Sequence, residues 1–385
     1  MPDHPFIYLD HAATTPVDPR VLEAMLPYFS QKFGNPSSIY SVARESRRAL
    51  DHARETVAQL LGAQPREIVF TACGSESDNT AIKGVAEANQ ARGNHIITSA
   101  IEHEAVLETC HYLEKRGFRV TYLPVDAMGT VELAALEQAI CPETILVSVM
   151  MANNEVGTIQ PIREIAQLLK GRDIVLHTDA VQAAGSLDID VEALGVDLLS
   201  ISGHKFYGPK GVGALYIRQG TKLMPQLHGG GQEKNRRAGT ENVAEIVGLA
   251  TALEIACSER PETTARVQRL RDKLRDGVLA IPDTIATGHP RDRLPNNASF
   301  CFQHVEGETI LLALDLQGVG ASTGSACTSA SSEPSHVLTA MGISAAVAHG
   351  AIRMTLGKEN TDEQVDAVLG LLPAIIEKQR ALAPV

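Results

Sequence analysis

From Ile68 to Ile217 the chain alternates short apolar, β-rich runs with amphipathic helical stretches, and this rhythm restricts the fold more than any other feature. The runs are Ile68-Val-Phe70, His95-Ile-Ile-Thr98, Arg119-Val-Thr-Tyr122, Ile145-Leu-Val-Ser-Val-Met150, Ile174-Val-Leu176, Leu198-Leu-Ser-Ile201 and Gly213-Ala-Leu-Tyr-Ile217, bounded by Gly, Pro, Asn or Asp. Strands that alternate with helices build a parallel sheet with crossover helices, so the expected class is α/β with a mainly parallel seven-stranded sheet and both faces covered. Helical periodicity fits Glu76 to Arg92, Glu132 to Ala139 and Ile162 to Lys170. A longer stretch from Glu241 to about Leu279 reads as one helix or as two broken near Pro261. Placing the domain boundary at that break sets a large domain before it and a smaller α+β domain over 261–385 after it.

Composition narrows the function. The 385 residues are 44% hydrophobic and 21% charged, enough for a large core and about two to three domain-sized units. A formal net charge of -12, no basic run and no Trp argue against nucleic acid as a direct partner. No apolar stretch approaches the roughly 18 residues of a membrane span, and the start lacks a basic region followed by an apolar one, so cytoplasmic residence is expected. Cysteines at 73, 110, 141, 257, 301 and 327 are scattered, without Cys-x-x-Cys or zinc spacing, so neither a disulfide framework nor a structural metal site is expected.

Two residues at strand tips carry the chemistry. Asp179 ends one apolar run and Lys205 ends the next. Most lone aspartates cap helices and most lone lysines sit in solvent. Here Ser202, Gly203 and His204 precede the lysine and Gly208-Pro-Lys-Gly211 turns the chain after it, which makes a polar pocket wall. A carboxylate that pairs with a protonated ring nitrogen and an amine that forms a Schiff base are the two ends of a pyridoxal phosphate site. Thr71-Ala-Cys-Gly-Ser-Glu-Ser-Asp78 supplies a third anchor, because free amides at a helix start near Gly74 and Ser75 favour a phosphate. An ordinary N-cap would read the same way in isolation. His103, after the second strand, suits stacking on the ring or proton shuttling. Ala321 to Pro334 places Cys327 among small and hydroxyl residues that cannot pack a core, so an exposed, mobile thiol is expected there, unlike Cys301 between Phe300 and Phe302.

These motifs resemble the cysteine desulfurases of the NifS/IscS type. The resemblance rests on Tyr8-Leu-Asp-His-Ala-Ala-Thr-Thr-Pro16, Phe33-Gly-Asn-Pro-Ser-Ser38, Asn153-Asn-Glu155, His177-Thr-Asp-Ala-Val-Gln182, Ser202-Gly-His-Lys205, Arg237-Ala-Gly-Thr240, Gly324-Ser-Ala-Cys-Thr-Ser329 and Ile352-Arg353, in family order over essentially the whole chain. It implies fold type I of the pyridoxal phosphate enzymes, with a large cofactor-carrying domain over 15–260 and a small domain made of 1–14 and 261–385, and a homodimer. It also implies Lys205 as the cofactor lysine, Cys327 as the persulfide carrier, Asp179 at the ring nitrogen, Gln182 at the ring hydroxyl and His103 on the ring. Gly74, Ser75, Ser202 and His204 would hold the phosphate, with Thr240 reaching it from the other subunit. Asn154 would lie beside ring and substrate, and Arg353, whose planar fork suits bidentate carboxylate binding, would hold the substrate carboxylate together with Asn35. The loop at about 321–334 resembles the subgroup with a long cysteine loop.

The activity so implied is conversion of L-cysteine to L-alanine, with sulfur passing to Cys327 and then to an iron–sulfur scaffold or another thiolation acceptor. No resident metal is expected, only a transient iron–sulfur contact at Cys327. Two enzymatic rivals share Lys205 and Asp179. One is a selenocysteine lyase; the other is a further fold type I aminotransferase-like enzyme, which would have no use for Cys327. A non-catalytic sulfur-trafficking scaffold would lack the lysine or the phosphate seat.

Overall fold

The structure, a computed structural model, describes residues 6–324 and 334–382. Its strands are β1 (Ile7–Tyr8), β2 (Ile68–Thr71), β3 (His95–Ser99), β4 (Arg119–Leu123), β5 (Thr144–Ser148), β6 (Val175–Asp179), β7 (Leu198–Ser202), β8 (Gly213–Ile217), β9 (Thr284–Ala286), β10 (Asn297–Phe302), β11 (Val319–Gly320) and β12 (Ala351–Thr355). β2 to β8 form one seven-stranded sheet in the order β2-β8-β7-β6-β5-β3-β4. These are the seven runs read from the sequence, their ends differing by at most three residues.

Pairings from β7 across to β4 are all parallel, whereas β8 runs antiparallel to both β7 and β2. The reversal follows from the connection, since residues 203–212 are too few for a crossover helix and only allow the chain to fold back. Both faces of the sheet are covered. Ile97, Val147 and Leu199 join one apolar cluster and their neighbours Ile96, Leu146 and Leu198 join another, as alternation along a strand demands.

The helix Val243–Leu279 is continuous through Pro261, where the sequence suggested a break. A proline inside a helix costs about 3 kcal/mol. Against that, Ile246, Leu249 and Leu253 are buried in the core of the large sheet, and Val267, Leu270, Leu274 and Val278 in a second core. At about 1.5–3 kcal/mol for each buried aliphatic side chain, packing on both sides of Pro261 outweighs the penalty.

The second core holds the antiparallel sheet β12-β10-β9, the closing helix Asp362–Leu382 and the start of the chain. β1 pairs in parallel with β11, and Asp10 bridges Thr355. Residues 10–15 are thereby led from the second core across to the edge of the large sheet, where Thr15 N–H donates to the His204 carbonyl at 3.0 Å.

Candidate active site

The residues singled out from the large sheet gather at the C-terminal ends of its parallel strands, the edge where open α/β sheets bind ligands. Gly74 opens a helix just after β2, His103 caps the helix Glu104–Glu114 after β3, Asn154 follows β5, Asp179 ends β6 and Ser202 ends β7. Lys205 closes a single helical turn, Gly203–Lys205, directly behind β7. Register fixes the centre of this group, because Asp179 stands opposite Ser200 in the β6–β7 pair.

Asp179 is buried and accepts the Val181 N–H at 2.8 Å. Burial raises its proton affinity, opposed by the charges of His103 and Lys205 and by the Val181 hydrogen bond. More carboxyls lie nearby. Burial and the charge of Asp179 push Asp78 well above the usual carboxylate range, and burial pushes Glu102 up to about 8. Glu102 accepts the Ser99 hydroxyl at 2.5 Å and the Met150 N–H at 2.9 Å. Asp78 lies 3.6 Å from His177, whose ring sits between the hydroxyls of Ser148 and Ser200 and is pushed down to about 3 by burial. A site with this much poorly solvated acid is relieved by a cation placed at Asp179.

Lys205 Nζ donates to the carbonyls of Ala12 at 2.5 Å and Ala13 at 2.8 Å. Gln182 Nε2 donates to the same Ala12 carbonyl at 2.9 Å. The 10–15 segment therefore holds both side chains from above, a role the sequence motif at Tyr8 to Pro16 did not reveal. His204 Nδ1 lies 3.1 Å from the Thr14 hydroxyl, and burial, helped by Lys205 and Lys210, pushes its ring down to about 4. His103 Nδ1 accepts the Ala105 N–H at 3.0 Å, which leaves Nε2 as the nitrogen available for proton exchange.

The residues at the helix start fit a phosphate. The Ser202 hydroxyl is buried and has no hydrogen-bond partner among the described residues. A Cβ on Gly74 would come within 2.8 Å of Val181 and 3.5 Å of Ser202, so only glycine lets the backbone lie this close to β6 and β7. Free amides at Gly74 and Ser75, an unpaired buried hydroxyl and a nearby lysine make an anion seat. With Asp179 for the ring nitrogen, the set is complementary to pyridoxal phosphate.

Arg353, on β12, closes the site from the second core. One Nη donates to the carbonyls of Asn154 at 2.9 Å and Gly324 at 3.2 Å, and the other pairs with Asp10 at 2.8 Å. Its Nε is buried without a hydrogen-bond partner among the described residues. Glu155 meets both stems of the cysteine loop: it accepts the Ser335 hydroxyl at 2.6 Å, and a Cβ on Gly324 would stand 3.1 Å from its carboxylate. Cys327 itself lies outside the described residues. Asp10 and Glu155 stood inside quoted motifs, but nothing in sequence spacing reveals partners so far along the chain.

Asn35 and Thr240 are placed elsewhere. Within one chain they line a surface hollow with Tyr28, Phe29 and Phe33, and neither lines the cavity beside Lys205. Asn35 uses its side-chain oxygen to accept the Ser37 N–H at 2.9 Å. The described cysteines, Cys73, Cys110, Cys141, Cys257 and Cys301, are all free thiols.

The class-V aminotransferase family model matches residues 7–368. A cysteine desulfurase IscS of Methanosarcina thermophila is 56% identical over 378 residues, covering 98% of this chain and 94% of that one. Among solved structures, a NifS-like protein superposes with a TM-score of 0.92 at 43% identity, covering 97% of this chain and 100% of the other. One titled SspA in complex with cysteine gives a TM-score of 0.82 at 40% identity, with 92% and 100% covered.

Proposed function

The chain belongs to the class-V aminotransferase family, among the cysteine desulfurases, and on that premise we propose that it takes sulfur from L-cysteine onto Cys327 and releases L-alanine. The observation that carries the chemistry is the convergence of Lys205, Asp179 and the unpaired Ser202 hydroxyl at the ends of neighbouring strands. Pyridoxal phosphate, held by Gly74, Ser75, Ser202, His204, Gln182 and Asp179, would supply a sink for negative charge at the substrate Cα.

The chain's own residues do the rest. Asp179 keeps the sink cationic, because a buried carboxylate gains most from a cation beside it. Lys205 takes the Cα proton, and the Ala12 and Ala13 carbonyls hold its amine in place. Arg353, whose Nε has no hydrogen-bond partner among the described residues, would bind the substrate carboxylate, with Asn154 alongside. Cys327 attacks the substrate sulfur: the S–S bond forms as the Cβ–S bond breaks, the electron pair left behind takes up a proton at Cβ, and the proton that Lys205 took is returned to Cα to give alanine. His103 is the proton relay for these steps.

Sulfur then leaves Cys327 for an iron–sulfur scaffold or another thiolation acceptor. We further propose a homodimer, in which Thr240 and Asn35 reach the site of the opposite subunit, and residence in the cytoplasm. No helix among the described residues is long and apolar enough to cross a membrane. Incubating the purified protein with L-cysteine should release alanine and persulfide sulfur in equal amounts. A kcat/KM far higher for L-selenocysteine would favour the lyase reading, and transamination without sulfur release would favour the aminotransferase reading.

A further inference from the structure

The stretch from Leu227 to Thr240 contains three successive non-glycine residues with left-handed backbones, Glu233 at φ 44°, Lys234 at 57° and Asn235 at 64°. One such residue is uncommon, and three in a row persist only where the surroundings impose them. Two ties impose them here, and both reach the same place.

The first tie is a buried fork. Arg54 donates to both oxygens of Glu233, at 2.6 and 2.7 Å, and both side chains are buried. Glu233 also accepts the Phe70 N–H at 3.0 Å, while Arg54 donates to the Ile68 carbonyl at 2.7 Å and lies 4.8 Å from the centre of the Phe70 ring. Ile68 and Phe70 belong to β2, the strand that delivers the chain to Gly74 and Ser75. The second tie is half-buried. Arg237 donates to Glu76 at 2.8 and 3.3 Å, and Glu76 also accepts the Ala72 N–H at 2.8 Å. One strained segment thus grips the strand before the phosphate seat and the first helical turn after it.

A buried ion pair adds little net stability, because desolvation offsets its attraction. Combined with a strained turn, it makes better sense as a device that fixes geometry. We propose that Glu233, acting with Arg54 and Arg237, is a positioning residue for the phosphate seat, setting where the Gly74 and Ser75 amides stand. The proposal rests on the pyridoxal phosphate reading above.

Affinity for pyridoxal phosphate is compared with affinity for pyridoxal, which keeps ring and aldehyde but lacks the phosphate. Both are titrated by visible absorbance into the full-length chain stripped of cofactor, as wild type, Glu233→Gln and Arg237→Ala. A positioning role at the seat raises the Kd for pyridoxal phosphate about 10-fold or more, the size usual when a group that orients a binding residue is removed, and leaves pyridoxal within about 2-fold. If Glu233→Gln does not fold, Arg237→Ala decides alone. Equal weakening of both ligands, or no change in either, would overturn the proposal. A wild type that binds pyridoxal as well as pyridoxal phosphate would instead overturn the phosphate-seat reading, and the proposal with it.

Discussion

The Lys205 side of the site and the Arg353 side are assembled from opposite kinds of contact. On the first, Gly74, Asp179, Ser202 and Lys205 stand at or just beyond the ends of strands in one sheet, and β-register places them. On the second, Arg353 joins Asp10, 343 residues away, to Asn154, 199 residues away, and Glu155 meets Ser335 across 180 residues. Strand ends lay out the first side, with side-chain ties added at Gly74 and Lys205, whereas long-range side-chain contacts alone assemble the second. The side proposed to hold the cofactor should therefore survive changes on the side proposed for substrate and sulfur.

Lys205→Ala is expected to have the largest effect, lowering alanine formation by at least about 10³-fold, as measured by amino-acid analysis, because the proposed base is gone. Cys327→Ala should come next, with alanine formation down about 10²-fold or more and affinity for pyridoxal phosphate unchanged. Loss of cofactor from the Cys327 variant would break the comparison. Arg353→Lys should lower kcat/KM about 10- to 100-fold, chiefly through KM, since a point charge cannot reproduce the fork. Cofactor binding in that variant should again match wild type.

Glu155 sharpens the comparison further. Its carboxylate accepts the Ser335 hydroxyl, and an amide oxygen keeps that acceptor. Glu155→Gln should slow persulfide formation only about 2-fold, against about 10-fold for Glu155→Ala, which removes the acceptor for Ser335. A quenched-flow time course separates the two.

The smallest expected effect lies beneath the cofactor side. His177, pushed down to about 3 by burial, is neutral in the folded chain, whereas an exposed imidazole titrates near 6.5. The unfolded chain takes up that proton first, so stability is lost as pH falls from about 6.5 toward 3. Glu102, pushed up to about 8, contributes with the opposite sign, its stabilisation fading as pH rises through that value. Urea unfolding between pH 6 and 4 should show His177→Gln with a slope shallower by about one proton, roughly 1.4 kcal/mol per pH unit. An unchanged slope would mean that His177 is not held neutral.

The same division explains what the sequence revealed. Seven apolar runs with Gly, Asn and Asp at their ends made the sheet and its functional edge legible, because strand tips and the residues just after them are local features. A mainly parallel sheet was legible, but that β8 is its antiparallel strand was not read, although the short 203–212 connection carries the signal. The helix through Pro261 was unreadable because burial in two separate cores overrides a local penalty. Asp10, Glu155 and Glu233 act through partners distant in sequence, so the run from Gln232 to Arg236 reads as mere local variation until Arg54 is seen against it.

Mapping the sulfur tests the central claim most directly. The wild-type protein, exposed briefly to L-cysteine, alkylated and digested, should carry one extra sulfur on the peptide containing Cys327, in step with the alanine released. Extra sulfur on Cys73, Cys110, Cys141, Cys257 or Cys301 instead, or alanine formed with Cys327 unmodified, would contradict the account.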